Sequence, residues 1–413
     1  MTTANFSLVY YCGDRKTGTI SVLHRTDGET RINRVGVGAE SGLAAGLKPI
    51  LVGLAENEDV VVLDPQTKAL QFLNAFPADG FPAHVYSDPY SDRDWLMNDG
   101  DKATGNDQLN CGDKGSSVTV IDKSNSTQAQ WLATICVGRG HHQATFTGPS
   151  EHAPDVPRRA VVSNLKDGTL SIIGNDPSDA QTDLKVLNTI NLCEPEKEEG
   201  MDEATVPNNA FPHGLVYSPR TGKLYNLNNG YGTVAVIDPV SGEIEERFDF
   251  KGHSNLFVTP CGRYVIGRGA DRKSDANHVF AQLTVYDLVE KKTVDQHRLQ
   301  DVYFSKYYFN GDGSKLYLTT GSSGSPEQKA NLKDDILLVF DLTSLPKISL
   351  SKELKIGKSG SIEMLNHEGK TQLVFSSAGA SGELIVIDGQ DEAIIETIQV
   401  NDGGSHSRVW LKV

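Results

Sequence analysis

The chain has 413 residues, of which 38% are hydrophobic, and it contains 40 glycines and 17 prolines. This composition is sufficient for a buried core and favours many short strands and turns over long helices. The formal net charge of −15 argues against nucleic acid or an anionic membrane as a partner, and no stretch approaches the 18 consecutive apolar residues of a membrane span.

The N-terminal sequence MTTANFSLVYYCGD lacks a basic segment followed by an apolar core, so it shows no secretory leader. As the chain stands we expect a cytoplasmic location, or a periplasmic one if a leader was removed. The cysteines are odd in number and form no CxxC motif, which fits neither a disulfide framework nor a zinc finger. We expect free buried thiols, with a single disulfide as the alternative for an exported protein. The five cysteines are Cys12, Cys111, Cys136, Cys193 and Cys261.

A short β-branched apolar run, usually ending in Asp and followed by a polar turn, recurs along the whole chain. Before most copies lie two further strand-like segments, and another follows the turn. The sequence therefore repeats a unit of four short strands. The recurring run reads TISVLH (19–24), VVLD (61–64), VTVID (118–122), LSIIGND (170–176), VAVID (234–238), LTVYD (283–287), LLVFD (337–341) and LIVID (384–388).

Four short strands per repeat, joined by hairpin turns, are typical of a β-propeller blade. We predict an all-β protein in which residues 1–413 form a single propeller, with eight four-stranded blades favoured over seven. The N-terminal segment supplies three strands of one blade. The C-terminal segment SHSRVWLKV (405–413) is predicted to join this blade as its innermost strand. Such a closure would leave no exposed sheet edge in the ring.

Histidines recur at one phase of the repeat, at the predicted start of the innermost strand. His213 and His253 each lie nine residues before the glycine of the first turn, and His84 lies nine residues before the start of the second strand. Innermost strands all run in the same direction, so their first residues should surround one mouth of the central channel. The histidines at this position are His84, His141, His142, His213, His253 and His406.

A ring of imidazoles at a channel mouth predicts a transition-metal site. Imidazole suits zinc, copper, iron and nickel, and three or four such ligands with an open position are typical of a catalytic or transfer site. No thiolate or carboxylate belongs to the ring, which disfavours calcium and magnesium. The alternative is that each histidine bonds a backbone carbonyl or lines a hydrated channel.

Charged loops between the second and third strands should lie on the same face as the histidines. Their side chains could surround the metal or position an anionic ligand. Each one alone is more often a solvated loop residue. The long insertion 98–115 is predicted to be a lid, and His278 is a candidate lid ligand. The candidates in these loops are Asp99, Asp101, Lys166, Arg268, Asp271 and His278.

The pattern KLYNLNNGYGTVAVIDPVSGEI (223–244) resembles the YVTN/cytochrome-d1-like β-propeller superfamily, and this resemblance extends over essentially the whole chain. The histidine ring is similar to the copper sites of nitrous oxide reductases and thiocyanate dehydrogenases. The adjacent pair His141–His142 resembles the axial site of zinc-carrying periplasmic propeller chaperones. The copper families are seven-bladed, and the cupredoxin domain of nitrous oxide reductase has no counterpart here. The absence of CxxCH excludes a covalent c-type haem.

These observations leave three hypotheses of function. The favoured one is an oxidoreductase whose metal, copper rather than zinc, acts on a small substrate. The second is a carrier that holds zinc or copper without catalysis, and the third is an interaction scaffold with structural histidines. The expected partner is a metal ion or a small molecule, and whether the protein is an enzyme stays open.

Overall fold

The computed structural model describes residues 8–14, 19–26, 29–36, 42–44, 50–54, 59–64, 71–77, 82–98, 111, 116–125, 129–198, 208–378 and 381–400. The described part contains 31 strands, one α-helix and one short 3-10 helix. All strands belong to antiparallel sheets in which each strand pairs with its neighbours in the chain. None of the helices in this part is long and apolar enough to cross a membrane.

The first four sheets follow one another along the chain. Sheet 1 has three strands, and sheets 2, 3 and 4 have four each. Their strands are β1 Leu8–Asp14, β2 Thr19–Thr26 and β3 Glu29–Gly36 (sheet 1); β4 Gly42–Ala44, β5 Ile50–Leu54, β6 Asp59–Asp64 and β7 Gln71–Pro77 (sheet 2); β8 Pro82–Ser87, β9 Arg93–Asn98, β10 Ser116–Asp122 and β11 Gln130–Val137 (sheet 3); and β12 His141–Thr147, β13 Arg159–Asn164, β14 Thr169–Gly174 and β15 Val186–Asn191 (sheet 4).

The remaining four sheets each contain four strands. The 3-10 helix Pro195–Lys197 precedes sheet 5, and helix α1 Pro326–Asn331 lies between two strands of sheet 7. The strands are β16 Pro212–Ser218, β17 Lys223–Asn228, β18 Thr233–Ile237 and β19 Ile244–Asp249 (sheet 5); β20 Asn255–Val258, β21 Tyr264–Asp271, β22 Phe280–Asp287 and β23 Lys292–Gln300 (sheet 6); β24 Phe304–Phe309, β25 Lys315–Thr320, β26 Ile336–Asp341 and β27 Ser349–Lys355 (sheet 7); and β28 Ser359–His367, β29 Lys370–Ala378, β30 Glu383–Asp388 and β31 Ile394–Gln399 (sheet 8).

The recurring apolar run forms the third strand of every four-stranded sheet and the middle strand of sheet 1, as the repeat predicts. In sheet 5, all five residues of β18 are buried, whereas β19 alternates between half-buried and exposed positions. The sequence of a strand that is covered on both faces is a continuous apolar run, whereas apolar and polar residues alternate in a strand at an outer edge. This difference explains why the third strand gives the clearest sequence signal.

Hydrophobic clusters between successive sheets hold the array together. Sheets 3 and 4, 4 and 5, 5 and 6, 6 and 7, and 7 and 8 each share a buried cluster. Leu23 of β2 is fully buried against Phe375 and Val386 of sheet 8, so the first sheet lies against the last described one. Sheets 4 to 7 therefore bury both faces against their neighbours, which is how sheets pack in a propeller.

A disulfide links Cys111, between β9 and β10, to Cys136 on β11. The expectation of free thiols is therefore wrong for this pair, because the chain before β10 folds back against the strand that follows it. Among the described residues, Cys193 and Cys261 are outside any disulfide; Cys193 is buried, as expected, whereas Cys261 is exposed. An odd cysteine count does not reveal which two residues the fold brings together.

Candidate functional site at the strand heads

The first strands of adjacent sheets lie side by side, as β12 does with β16 and β16 with β20. We call the residues at or just before the start of these strands the strand heads. The loops between second and third strands lie at the same end, because the strands alternate in direction. Any site that combines strand heads with these loops must therefore lie at this one end of the array.

Hydrogen bonds tie each strand head to the next. The side-chain oxygen of Gln143 in β12 accepts a hydrogen bond from the backbone N–H of Leu215 in β16, at 3.1 Å. The imidazole Nδ1 of His213 in β16 bonds the carbonyl oxygen of Ser254, which precedes β20. A guanidinium N–H of Arg268 in β21 donates to the carbonyl oxygen of Phe304, the first residue of β24, at 2.7 Å. Four consecutive sheets are thus connected at their heads.

The glycine after His213 permits this close approach of β16 to β20. Gly214 has φ of +137°, and a Cβ placed on it would lie 2.8 Å from the backbone nitrogen of Leu256. Glycine adopts this backbone conformation without the steric cost that a Cβ would add. The sequence around His213 therefore allows the imidazole to reach the neighbouring strand head.

His213 is the predicted ligand whose geometry the structure describes most fully. A carbonyl oxygen can only accept a hydrogen bond, so Nδ1 of His213 carries the proton and donates it to Ser254. In the neutral ring, this tautomer places the lone pair on Nε2. Burial lowers the pKa of His213 below its usual range, and the nearby charge of Arg268 acts in the same direction, while the bond to Ser254 opposes them. The imidazole is consequently neutral at pH 7.

His253 is held in the core by partners on both of its ring nitrogens. It is buried, its Nε2 lies 2.9 Å from the hydroxyl of Thr284, and its Nδ1 lies 3.4 Å from the carbonyl oxygen of Phe250. Its ring stacks on the Phe250 ring at a centroid distance of 4.3 Å. Burial lowers the pKa of His253 as well. Both nitrogens of His253 therefore have partners, Thr284 in sheet 6 and Phe250 in the connection that leads from sheet 5, which is a structural role.

The other predicted ligands are described to different extents. His84 lies in β8 with an exposed side chain, and its ring centroid is 6.3 Å from that of Tyr86. The backbone of His141 and His142 opens β12, whereas their side chains lie outside the described part. His406 also lies outside the described residues. In the part of the chain that is described, no three His, Cys, Asp or Glu side chains come together to hold a metal ion. The complete histidine ring therefore stays a prediction.

Arg268 is half-buried in β21, the second strand of sheet 6, where it lies opposite Asn255 of β20. Its Nε is buried and has no hydrogen-bond acceptor among the described residues. Burial lowers the pKa of Arg268, and the phenols of Tyr303 and Tyr307 oppose this shift. The sequence-predicted candidate Arg268 thus lies at the strand heads, beside His213.

The remaining loop candidates have local partners. Asp271 accepts hydrogen bonds from the backbone N–H groups of Lys273 and Ser274, both at 3.0 Å, which fixes a turn. His278 bonds the carboxylate of Asp301 through Nδ1 at 2.8 Å. Lys166 lies in the β13–β14 turn against Gly140. Asp99 and Asp101, together with most of the predicted lid 98–115, lie outside the described residues.

Helix α1 organises one loop at this end, which the sequence did not reveal. Gln328 of α1 is buried, and its side-chain amide donates to the carbonyl oxygens of Arg272, Asp275 and His278 at 2.8 to 3.3 Å. Ser325 caps the helix through the backbone N–H of Gln328. The Ser-x-x-Gln spacing is a capping signal that was available in the sequence. Through Gln328, sheet 7 fixes the loop that contains His278.

A second polar network, also missed from sequence, lies under the connection from β15 to β16. The buried carboxylate of Glu194 accepts hydrogen bonds from the Thr233 hydroxyl and, at 3.2 Å, from the Asn228 amide, and lies 2.8 Å from Nζ of Lys197. Burial acts to raise the pKa of Glu194, but these partners outweigh it and hold that pKa below its ordinary value. The network anchors the connection that leads to His213.

Comparison with solved structures identifies the architecture. The periplasmic gluconolactonase PpgL of Pseudomonas aeruginosa is 12% identical over 99% of both chains, with a TM-score of 0.59. Dihydro-heme d1 dehydrogenase NirN in complex with DHE is 12% identical over 95% of this chain and 73% of its own, with a TM-score of 0.61. Apo AztD from Citrobacter koseri is 12% identical over 98% of both chains, with a TM-score of 0.57.

The chain has a β-propeller fold. The predicted resemblance to YVTN/cytochrome-d1-like propellers is confirmed at the level of the fold. No protein-family model and no curated protein sequence matches the chain. In a propeller, first strands line the central channel, so the strand heads described above lie at one of its mouths.

Proposed function

We propose that this propeller binds a transition metal at the channel mouth, with His213 and the pair His141–His142 as the core of the site. The observation that carries the proposal is the orientation of His213. Its Nδ1–H is fixed by the Ser254 carbonyl, which leaves Nε2 as the nitrogen with the lone pair. A metal-binding histidine typically donates its other N–H to a carbonyl or carboxylate in this way.

The position of His141 and His142 supports the same site. Gln143, the next residue, bonds Leu215, two residues after His213, so these two strand heads are neighbours. The neutral state of His213 also favours metal binding, because a proton and a metal ion compete for the same lone pair. We do not include His253 in the core, since Thr284 and Phe250 already occupy its nitrogens.

An all-imidazole donor set suits copper and zinc, and we propose copper as the favoured metal. Bound copper would supply an electron acceptor or a Lewis acid for a small substrate, in keeping with an oxidoreductase. In that role His213 holds the metal, and Ser254 keeps the imidazole in the correct tautomer. A carrier of zinc or copper would use the same ligands without chemistry.

Metal analysis of protein purified without added metal tests the proposal. We expect one equivalent of copper or zinc in the parent, a loss of at least ~10-fold in affinity in His213→Ala and in the double variant His141→Ala/His142→Ala, and no change in His152→Ala, an exposed histidine beside Arg220. A His213→Ala protein that retains parental metal affinity contradicts the site. Bound copper with turnover of a reductant supports the oxidoreductase, and colourless zinc protein supports the carrier.

We infer further that the ring has eight blades, and that residues 405–413 complete the blade of β1–β3. Sheet 1 has three strands and packs against sheet 8 through Leu23, which is the arrangement that a closing innermost strand requires. Deletion of 405–413 should then expose the β1 edge and lower the melting temperature by more than ~5 °C. An unchanged melting temperature would contradict this closure.

We also propose that the protein works in an oxidising compartment such as the periplasm. The Cys111–Cys136 disulfide is the supporting observation, since structural disulfides are rare in reducing cytosol. Mass spectrometry of alkylated protein, isolated under acid quench from its native cells, would test this. Recovery of both thiols in reduced form would contradict it.

A further inference from the structure

We propose that Arg268 binds a small anion, a carboxylate or an oxyanion, at the channel mouth beside His213. The proposal concerns a ligand other than the metal and does not depend on metal binding. It rests on a cationic group that the fold has placed, oriented and left without an anionic partner in the described part of the chain.

Ion pairs distinguish Arg268 from most of the partly buried arginines. Five arginines have a carboxylate within 4 Å, whereas no carboxylate of the described residues lies that close to Arg268 or to the half-buried Arg159. The paired arginines are Arg93 with Asp183, Arg139 with Asp167, Arg158 with Asp88, Arg247 with Glu194 and Arg263 with Asp287. In a protein with a net charge of −15, acidic side chains are plentiful, yet the fold brings none of those described to this guanidinium.

Burying a guanidinium costs free energy that a neighbouring anion normally offsets. Arg268 receives one hydrogen-bond acceptor, the Phe304 carbonyl, while its buried Nε receives none among the described residues. An anion bound at the terminal N–H groups would provide the missing negative charge.

Two hydrogen bonds of Arg268 also fix the orientation in which its guanidinium would meet an anion. The bond from Arg268 to Phe304 holds the guanidinium between the heads of β20 and β24, and the backbone N–H of Ser254 donates to the carbonyl oxygen of Arg268 at 2.8 Å. A planar guanidinium held in this way presents its remaining N–H groups at fixed angles, which suits two oxygens of one anion. The ligand class is therefore a small carboxylate or oxyanion.

The test uses the full chain after treatment with chelator, so that a failure of the metal proposal cannot affect it. Phosphate and oxalate are titrated by calorimetry into the parent, Arg268→Met and Arg263→Met. Arg263 immediately precedes the same strand, β21, but bonds Asp287, so it is the matched control. We expect at least one probe to bind the parent, Arg268→Met to weaken it at least ~30-fold, and Arg263→Met to leave it unchanged.

Thermal melting separates a ligand site from a structural role. Arg268→Met removes an unpaired cation and should melt no more than a few degrees below the parent, and phosphate or oxalate should raise the melting temperature of the parent but not of the variant. The proposal is overturned if neither probe binds the parent, or if Arg268→Met binds it equally well.

Discussion

The imidazole of His213 in sheet 5 is held by the backbone carbonyl of Ser254, which leads into sheet 6. The orientation of this side chain thus comes from the neighbouring sheet. His253, at the head of the next sheet, is instead held by Phe250, in the connection from sheet 5, and by Thr284 of sheet 6. Two histidines at the same phase of the repeat therefore have different roles: the imidazole of His213 reaches the next strand head, and that of His253 is buried with both nitrogens bonded.

The first prediction concerns the pH dependence of stability at His253. Burial lowers its pKa, so below the ordinary value of about 6.5 the unfolded chain binds more protons than the folded one. Its contribution to stability is therefore complete above about pH 7 and is lost as the pH falls from 6.5 through the lower folded pKa. We expect His253→Gln to lose less stability than the parent between pH 7.5 and 5.5, by up to about 1.4 kcal/mol for each unit below pH 6.5.

Urea unfolding of both proteins at the two pH values measures this difference. The exposed His152, replaced in His152→Gln, is the control and should retain the parental pH dependence. If His253→Gln loses as much stability as the parent on acidification, protonation of His253 does not limit the folded state at low pH.

The second prediction concerns Glu194. Glu194→Gln keeps the shape of the side chain but removes the charge that pairs with Lys197. It also places an N–H₂ group against one of the groups that donate a hydrogen bond to the carboxylate. Breaking a buried hydrogen-bonded charge pair in this way should cost about 3 kcal/mol of unfolding free energy. Denaturant unfolding measures the loss. Glu196→Gln, at an exposed neighbouring position, should stay within about 0.5 kcal/mol of the parent, and equal losses in the two variants would argue against the network.

The sequence predicted the fold well because the third strand of each repeat is covered on both faces. Val234 and Val236 of β18, for example, are buried together with Ala235 between them and Ile237 after them. Such runs are read directly as apolar, β-branched segments. The repeat then predicted which residues head the first strands, and His213 lies where it was expected.

The roles of the individual site residues could not be predicted from their positions in the repeat alone. His253 turns into its sheet because Gly267 and Gly269 on β21 leave room for it; a Cβ on Gly269 would lie 2.6 Å from the Cα of His253. The lack of a described carboxylate beside Arg268 is likewise a property of tertiary packing. Whether a charged residue has a partner depends on residues distant in sequence, which a single sequence does not connect.

The third prediction concerns the disulfide. Cys111 and Cys136 are separated by 25 residues, and closing a loop of this length should stabilise the fold by roughly 3 kcal/mol through the unfolded chain. We expect Cys111→Ser/Cys136→Ser to lose about that much unfolding free energy, and reductant to have the same effect on the parent. Cys261→Ser, which removes an exposed free thiol, should respond to reductant as the parent does. Parental stability that is insensitive to reductant would contradict the pairing.

The fourth prediction compares two glycines that have similar positive φ angles but different surroundings. Gly168, in the β13–β14 turn, and Gly369, between β28 and β29, have φ of +63° and +74°. A Cβ at Gly168 would lie 1.8 Å from the side-chain oxygen of Asn208, whereas no described atom lies within 4 Å of a Cβ at Gly369. Both alanine variants should lose about 1–2 kcal/mol of unfolding free energy, because a Cβ disfavours the left-handed conformation.

Gly168→Ala should lose more unfolding free energy than Gly369→Ala. Asn208 cannot move away from the new Cβ without losing its hydrogen bonds to the Gly168 carbonyl, Asn191 and the Ala210 N–H. The disruption of these buried hydrogen bonds should add about 1–3 kcal/mol. Denaturant unfolding of the two alanine variants measures the difference. In an Asn208→Ala background this excess should disappear, since the obstructing side chain is gone and only the backbone strain at Gly168 is left. Equal losses for Gly168→Ala and Gly369→Ala in the parent would show that Asn208 yields freely, and that the connection beneath the strand heads is not fixed by this contact.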